Sequence, residues 1–445
     1  MTKPVIFQKL LTEQQLSPAK ILMLLSQLEH IVYLRNVKQP IIAFAASEYM
    51  LVQHKKIQNF KRTAFNHYQE KSENIDFNKF LNKQNQQRHA DFNGGLIGFI
   101  SYDDAAQQQV KIKEKNQPTL FLGIYHNFIK LTDQGWMFFS QENEADTIFQ
   151  AIQNLLSNKP QQTFSLNQAC TARWTKQEYF NAFEQVQNYI RAGDCYQINL
   201  TQEFTAKAQG RLLDTAEAFW KLTDAPYSGY LKIQDFELLS CSPELFIDFE
   251  AHRKIITKPI KGTMPRYADP DLDERSKQTL IHSKKDQAEN VMIVDLLRND
   301  LSVYAETGSV QTPKLFAIES FNQVHHMVSE VTATLQEDVN PFDVLMSALP
   351  GGSITGAPKI RAMQIIDELE GAPRGAYCGS MGYFNFDGTG SWNILIRSIQ
   401  KYQNDISLWA GGGITIASDC DAEYQECFDK VAAMLDLLNT WYTPE

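Results

Sequence analysis

Helical periodicity is clearest near the middle of the chain, where large apolar residues recur every three or four positions. These residues are Tyr179, Phe183, Val186 and Ile190. Positions with this spacing lie on one face of a helix. Thr175 and Glu178 precede the run as a capping box, and Gly193 follows it as a helix terminator. The pattern therefore predicts a helix between Thr175 and Gly193.

The hydrophobic period changes to two directly after this helix. Across residues 195–201, apolar and polar side chains alternate, which predicts a strand. Short apolar runs at residues 41–45, 121–125, 254–256 and 406–410 predict further strands, and residues 422–438 predict one long final helix. Strands and helices are thus mixed along the chain.

A polar stretch divides the chain unequally. Residues 157–163 read SNKPQQT, a composition that is typical of a linker. We therefore predict a boundary near residue 165, with a smaller region of residues 1–165 and a larger one of residues 166–445. The smaller region contains GGLIGFISYD at residues 94–103, in which the glycines permit either close backbone approach or a strand bend.

Composition narrows the function classes. The 445 residues carry a formal net charge of −10, whereas a nucleic-acid-binding surface needs a basic face. No apolar run approaches the roughly 18 residues of a membrane span, and the first residues lack the apolar segment of a secretory signal. None of the six cysteines forms a CxxC pair. We therefore expect a cytoplasmic protein with reduced thiols that binds neither nucleic acid nor membrane.

Two acidic stretches each offer a pair of carboxylates. Asp286 and Glu289 lie three positions apart in KDQAENVMIVDLLRND, and residues at this spacing share a helix face. Glu423 and Glu426 repeat the spacing in DAEYQECFDK. Two such faces meeting in a cleft would form the oxygen-rich site that Mg²⁺ prefers. The alternative is two solvated helix faces, with Glu426 paired to Lys430.

Glycine-rich segments are candidates for anion binding, because glycine lets backbone N–H groups approach a ligand closely. One segment is GGSITGAPK at residues 351–359, and the other is Gly411-Gly412-Gly413. Neither matches a nucleotide-binding motif, and a structural turn is the alternative for each.

A lysine and a histidine pair are further candidates. Lys261 in PIKGT follows the predicted strand at residues 254–256. It could be an exposed turn residue, or a nucleophile whose pKa is lowered by burial and nearby cations. His325 and His326 in VHHMVS point to opposite faces if the segment is a strand, so one of them can face a cleft.

These segments together resemble the chorismate-utilising enzymes, which include anthranilate, aminodeoxychorismate, isochorismate and salicylate synthases. In family order, the matching segments are GDCYQINL, SPELF, PIKGT, DQAENVMIVDLLRND, VHHMVS, PGGSITGAPKIRAMQIIDELE, YCGSMGY, IRS, AGGGI and EYQECFDK. The resemblance implies an α+β fold with β-sheets packed as a sandwich, helices on the flanks and the active site in a central cleft. It also implies an accessory domain in residues 1–165, similar to that of anthranilate synthase component I, and a chorismate-binding catalytic domain in residues 166–445.

The resemblance assigns a metal site and a set of substrate contacts. It implies that Glu289 and Glu426 bind Mg²⁺, which holds the ring carboxylate of chorismate, while Asp286 and Glu423 act behind them or through water. Positions that match substrate contacts are Gln197, Gly262, Thr263, Tyr377, Arg397, Gly411, Gly412, Gly413 and Lys430. A dianion needs such metal, arginine and N–H partners to offset its desolvation.

Two positions indicate the branch of the family. Members that add water have a lysine base where this chain has Gln197, and glutamine cannot deprotonate water, so ammonia is the expected nucleophile. PIKGT places Lys261 where anthranilate synthases read PIAGT. This implies amination of chorismate to 4-amino-4-deoxychorismate through a covalent bond between Lys261 and ring carbon 2. Glu244 matches the general acid/base, and His326 aligns with the histidine that anthranilate synthases use for pyruvate elimination.

The sequence also bears on the source of ammonia and on competing functions. We find no GxCxG nucleophile elbow, so we expect a separate glutamine amidotransferase subunit as partner, in 4-aminobenzoate and folate synthesis. One alternative is anthranilate synthase component I, and isochorismate or salicylate synthase is disfavoured by Gln197. An alternative of another class is an inactive chorismate-binding regulatory subunit, which the intact set of candidate residues disfavours.

Overall fold

The computed structural model describes residues 6–12, 15–35, 39–77, 91–159, 162–320 and 324–444. Its α-helices are α1 Pro18–Leu24, α2 Tyr102–Gln107, α3 Ala145–Leu156, α4 Lys176–Ala192, α5 Ala216–Thr223, α6 Pro270–Ile281, α7 Lys284–Ser302, α8 Pro341–Ala348, α9 Lys359–Glu370, α10 Cys420–Asp429 and α11 Ala432–Asn439. None of these helices is both long enough and apolar enough to cross a bilayer.

The strands are interspersed among these helices in the described part of the chain. They are β1 Phe7–Leu10, β2 Val32–Leu34, β3 Ile41–Phe44, β4 Glu48–Gln53, β5 Lys56–Ala64, β6 His67–Lys71, β7 Gly95–Ile100, β8 Leu120–Tyr125, β9 Asn127–Thr132, β10 Gly135–Ser140, β11 Ser165–Leu166, β12 Thr171–Ala172, β13 Gln197–Gln209, β14 Tyr227–Ile233, β15 Phe236–Ser242, β16 Leu245–Phe249, β17 Lys254–Thr257, β18 Ile260–Pro265, β19 Gln311–Ser320, β20 Val324–Thr334, β21 Gly356–Ala357, β22 Ser380–Asn385, β23 Gly390–Asn393, β24 Ser398–Tyr402 and β25 Asp405–Ile414.

Two large antiparallel sheets form the centre of the fold. The first runs β1-β10-β9-β3-β2-β14-β15-β24-β25-β13-β11, and the second runs β18-β20-β17-β16-β23-β22-β7-β8-β4-β5-β6. Each sheet joins strands from both sides of residue 165, through β2 with β14 in the first and β7 with β22 in the second. The division into an accessory and a catalytic domain therefore stays a prediction, because hydrogen-bonded sheets continue across it.

Three buried clusters show how the layers pack. One lies between the sheets, with Leu231 and Leu238 from the first sheet and Ile97 and Phe121 from the second. A second cluster packs α1, α3, α5 and α11 against the first sheet. The third packs α2, α4, α7, α8 and α9 against the second sheet and against β13. The predicted α+β sandwich with flanking helices is confirmed.

Local signals located α4 correctly. Thr175 accepts the backbone N–H of Glu178 on its side chain, and the Glu178 carboxylate accepts the N–H of Thr175, which completes the capping box. Gly193 ends the helix with a φ of 81°, a left-handed conformation that favours glycine. The strand predicted at residues 195–201 is the first part of β13.

One local prediction was wrong, and one alternative is excluded. The final helix is divided into α10 and α11, because Val431 has a φ of −128° and its buried side chain joins the core under the first sheet. The Gly411–Gly413 segment is not a turn, because it continues β25 and pairs with β13 in the register Gly411↔Thr201 to Gly413↔Asn199.

Candidate active site

A cavity of about 740 Å³ lies among β18, β20, β25, α7 and α10. Every residue that lines it comes from the part of the chain after residue 165. The sequence-predicted residues that line it are Glu244, Lys261, Gly262, Thr263, Asp286, Glu289, His326, Tyr377, Arg397, Gly411, Gly412, Gly413, Glu426 and Lys430. The fold thus brings together side chains that are up to 186 positions apart in sequence, from Glu244 to Lys430.

Gln197 and Glu423 lie directly behind the cavity wall. Gln197 is fully buried on β13, and a Cβ added to Gly413 would be only 2.2 Å from its Nε2 atom. Neither amide atom of Gln197 has a hydrogen-bond partner within the described part of the chain. Glu423 is buried on α10, where it accepts a hydrogen bond from Ser418 Oγ at 2.8 Å. A direct substrate contact by Gln197 therefore stays a prediction.

Lys261 reaches the cavity from an irregular part of β18. The pairing of β18 with β20 shifts register between Ile260 and Thr263, and Gly262 has a φ of 81°. Burial lowers the pKa of Lys261 below its usual value, and the charge of Lys430 adds to the lowering, whereas Glu289 opposes it. A depressed pKa increases the fraction of neutral amine, which is the nucleophilic form.

The pKa of Glu244 is shifted in the opposite direction to that of Lys261. Glu244 lies between β15 and β16 with 6% of its surface exposed. Burial raises the pKa of its carboxyl to about 7, against the opposing effects of Lys261 and of the backbone N–H of Ile260. A carboxyl that titrates near pH 7 can donate a proton in one step and accept one in the next.

His326 and His325 face opposite sides of β20, as predicted. Nδ1 of His326 lies 2.8 Å from Oγ1 of Thr263 at the cavity, whereas Nδ1 of His325 lies 2.7 Å from Oγ of Ser320. Burial, together with the charge of Arg397, lowers the pKa of His326 to about 4. His326 is therefore a neutral imidazole near pH 7.

The two predicted acidic helix faces converge on the cavity. Glu289 on α7 and Glu426 on α10 both line it. A Cβ on Gly412 would lie 2.9 Å from Oε2 of Glu423 and 3.2 Å from Oε1 of Glu426. The glycine of β25 thus leaves the space that these carboxylates occupy. Nζ of Lys430 bonds to Oε1 of Glu426 at 2.6 Å and donates to the Gly411 carbonyl oxygen at 2.8 Å.

The donor set fits a hard cation with few protein ligands. Among the residues that the structure describes, no three His, Cys, Asp or Glu side chains are grouped closely enough to enclose a metal. Mg²⁺ usually takes one or two carboxylates and completes its octahedron with water and substrate oxygens. Glu289 and Glu426 place two carboxylates at the cavity, and the described residues that line it include no cysteine or methionine.

Sequence reasoning did not single out several of the lining residues, among them Lys285, Asn199 and Trp409. Lys285 precedes the predicted acidic pair and lies 3.4 Å from Oε1 of Glu423. The ring of Trp409 stacks on Tyr377 with centroids 5.9 Å apart and an interplanar angle of 12°. Alternation of apolar and polar side chains along β13 and β25 indicates which residues share a face with Asn199 and with Trp409. It could not show which face lines a cavity.

Comparisons with known proteins identify similar sequences and a similar fold. A sequence model of the family described as chorismate binding enzyme matches residues 29–436. Aminodeoxychorismate synthase component 1 of Salmonella typhimurium is 42% identical over 356 residues, which are 77% of this chain and 76% of that protein. Its namesake in Klebsiella aerogenes is 49% identical over 281 residues, 62% of this chain and 61% of that protein. The crystal structure of anthranilate synthase component I from Streptococcus pneumoniae TIGR4 superposes with a TM-score of 0.76 at 25% identity, covering 89% of this chain and 92% of that one.

Proposed function

This chain belongs to the family of chorismate binding enzymes, and on that premise we propose that it converts chorismate and ammonia to 4-amino-4-deoxychorismate. The observation that carries the proposal is the placement of Lys261, which lines the same cavity as Glu244, Glu289 and Glu426. The names of its relatives from Salmonella typhimurium and Klebsiella aerogenes support this activity over anthranilate synthesis.

The proposed reaction has two substitution steps. In the first, neutral Lys261 bonds through Nζ to ring carbon 2, the ring double bonds shift, and the bond from carbon 4 to its hydroxyl oxygen breaks. Glu244 donates a proton to that oxygen, which leaves as water. In the second, ammonia bonds to carbon 4, the double bonds shift back, and the bond from carbon 2 to Lys261 breaks. Glu244 takes up the proton that the new ammonium group loses.

We propose that Glu289 and Glu426 hold Mg²⁺, with Asp286 and Glu423 supporting them. The ion would supply positive charge for the ring carboxylate of the substrate. Arg397 and Lys430 add cationic donors to the same cavity. Arginine binds a carboxylate in two-point geometry and lysine as a point charge, so these two side chains can orient the substrate dianion above Lys261.

We further propose a separate glutamine amidotransferase as the partner that supplies ammonia. The name of these relatives, component 1, supports a second component. We place the enzyme in the cytoplasm, in the synthesis of 4-aminobenzoate and folate. All six cysteines are free thiols and five are buried, which suits a reducing compartment.

Product analysis tests the activity. The enzyme is incubated with chorismate, ammonium and Mg²⁺, with and without a lyase that removes pyruvate from aminodeoxychorismate. We expect 4-aminobenzoate only when the lyase is added. Fluorescent anthranilate formed without the lyase would assign the chain to anthranilate synthesis instead. Tight chorismate binding without turnover would identify an inactive binding subunit.

Intact-protein mass spectrometry tests the covalent route. We expect a substrate-derived mass increment on the enzyme when chorismate is supplied without ammonia, and none on Lys261→Ala. Lys258→Ala is the matched control, because Lys258 lies three positions earlier, outside the cavity, with Nζ 3.8 Å from Glu330. An increment that persists in Lys261→Ala would contradict a bond to this lysine.

A further inference from the structure

A buried arginine connects two segments of one cavity wall from behind. Arg374 follows α9 and has 1% of its surface exposed. Its Nη1 donates to the carbonyl oxygen of Ile354 at 3.0 Å, and its Nη2 donates to the carbonyl oxygen of Asn199 at 2.7 Å. Ile354 and Asn199 both line the cavity. The guanidinium therefore bridges a strand and a turn that line the cavity, in addition to the direct bond from Asn199 Nδ2 to the same Ile354 oxygen at 3.0 Å.

Glu370 at the end of α9 fixes the orientation of this guanidinium. Its two carboxylate oxygens accept from Nε and Nη2 of Arg374 at 2.8 and 2.7 Å. One of these oxygens also accepts the backbone N–H and the hydroxyl of Thr201, at 3.0 and 2.7 Å. Two-point pairing restricts rotation of the guanidinium plane. The pair therefore holds β13 at both Asn199 and Thr201.

The same arginine reaches a third segment of this wall through its backbone. Its carbonyl oxygen accepts the N–H of Tyr377 at 3.3 Å and Nε2 of Gln400 at 2.9 Å. Its guanidinium carbon lies 5.7 Å from the centroid of the Tyr377 ring, whose other neighbour is Trp409. Tyr377 and Trp409 both line the cavity. Arg374 thus contacts three chain segments that form one surface of the cavity.

Stability alone does not account for such a pair. Removing two charges from water costs about as much free energy as their attraction returns, and apolar residues of similar volume often replace a buried ion pair without loss of stability. Apolar residues cannot donate hydrogen bonds to the carbonyl oxygens of Asn199 and Ile354. We propose that Arg374, oriented by Glu370, is a positioning residue that fixes the substrate-facing wall formed by Asn199, Ile354 and Tyr377. This inference rests on the proposed function.

The test compares a pair replacement with an arginine that serves only the fold. Arg374→Met alone would leave Glu370 charged and unpaired, so the informative variant is Glu370→Leu with Arg374→Met. Arg173→Met is the control, because Arg173 does not line the cavity. Its Nη2 donates to the backbone oxygen of the same Glu370 at 2.5 Å, and its Nε lies 3.3 Å from Oε2 of Glu203. For each protein we measure Tm, kcat, the KM for chorismate and the calorimetric Kd of chorismate with Mg²⁺ present.

We expect the double variant to remain folded while its KM and Kd for chorismate rise at least about tenfold, since small misplacements of a binding wall are costly. Arg173→Met should lose stability and keep KM within about twofold of the wild type. A folded double variant with wild-type KM and Kd would overturn the inference, as would an equal rise of KM in Arg173→Met. Wild-type enzyme that does not convert chorismate would instead refute the proposed function.

Discussion

At the scale of single residues, burial moves two titratable groups in opposite directions with the same chemical result. It raises the pKa of Glu244 to about 7 and lowers that of Lys261. In both cases the neutral form is favoured, because a low-dielectric site disfavours charge. A neutral amine and a protonated carboxyl are the forms that the first proposed step requires.

The pH dependence of the reaction follows from Glu244 and Lys261. The protonated fraction of Glu244 falls as pH rises through about 7, whereas the neutral fraction of Lys261 rises with pH. At a constant concentration of free ammonia, kcat/KM for chorismate should therefore pass through a maximum and decrease on the alkaline side of it. Glu244→Gln should lower kcat/KM by about 10²–10⁴-fold and remove this decrease. The measurement is a kcat/KM profile from pH 5.5 to 9 (roughly the range over which such a group titrates).

Asp103 provides the control for this assignment. Burial also raises the pKa of its carboxyl to about 7, but the group is fully buried outside the cavity and accepts N–H groups of Lys115 and Gly375. Asp103→Asn keeps an acceptor oxygen for these bonds and should retain the decrease on the alkaline side. A decrease that is lost in Asp103→Asn and kept in Glu244→Gln would refute the role of Glu244.

Mg²⁺ affinity is the residue-scale test of the acidic pair. Glu289→Ala should weaken Mg²⁺ binding at least about tenfold, because one of two carboxylates is removed. Calorimetry, or the fluorescence of Trp409 at the cavity, measures the affinity without turnover. Asp295→Ala is the control, since Asp295 lies on the same helix and pairs with Arg298 outside the cavity. Unchanged affinity in Glu289→Ala would remove this residue from the proposed metal site.

At the scale of elements, local and long-range signals differ in what they predict. The start and end of α4 could be predicted because Thr175, Glu178 and Gly193 act within one helix. The division between α10 and α11 could not, because Val431 leaves helical geometry where its side chain enters a core formed by distant residues. Likewise, Gly413 covers Gln197 only through the β13–β25 register, which no local pattern encodes.

Gly262 makes the irregularity of β18 testable. Residue 262 has a φ of 81°, which an alanine would have to adopt. Its added Cβ would lie 2.7 Å from Cδ1 of Leu280 and 2.8 Å from Cγ of Asp286. Gly262→Ala should therefore destabilise the protein by more than the roughly 1 kcal/mol of backbone strain. It should also lower kcat, because relief of the overlap moves the strand that carries Lys261. Urea unfolding and steady-state kinetics measure the two effects.

Gly193 is the matched control for that substitution. It has the same φ of 81°, but nothing lies within 4 Å of an added Cβ. Gly193→Ala should lose only the strain of about 1 kcal/mol and retain full kcat. Equal losses of stability and activity in the two variants would show that backbone strain alone, and not the overlap with Leu280 and Asp286, governs position 262.

At the scale of the whole molecule, the sequence motifs indicated the composition of the site better than the organisation of the sheets. The α+β class and most of the cavity residues could be predicted, because family motifs occur in order along the chain. The continuity of both sheets across residue 165 could not. It depends on pairs such as Gly229↔Leu34 and Gly98↔Gly382, whose partners lie far apart in sequence.

This continuity has a consequence for fragments of the chain. A fragment of residues 166–445 would lose β2 and β7, each a partner of β14 or β22, and would expose the remaining part of the cluster between the sheets, including Leu231 and Leu238. Long unpaired apolar edges associate with other chains. We therefore expect the fragment to aggregate when it is produced alone, although it contains every residue that lines the cavity.

A nicked full-length chain separates loss of contacts from loss of covalent continuity. A protease site inserted between Asn158 and Lys159, which are both exposed, would cut the backbone while the pairs β2–β14 and β7–β22 remain. The nicked protein should stay monomeric by size exclusion and keep its Tm within a few degrees, because the sheets hold the two pieces together. Its chorismate turnover should also persist. A soluble, cooperatively unfolding fragment of residues 166–445 would show instead that the larger region is an independent domain, and that the shared sheets contribute little to its stability.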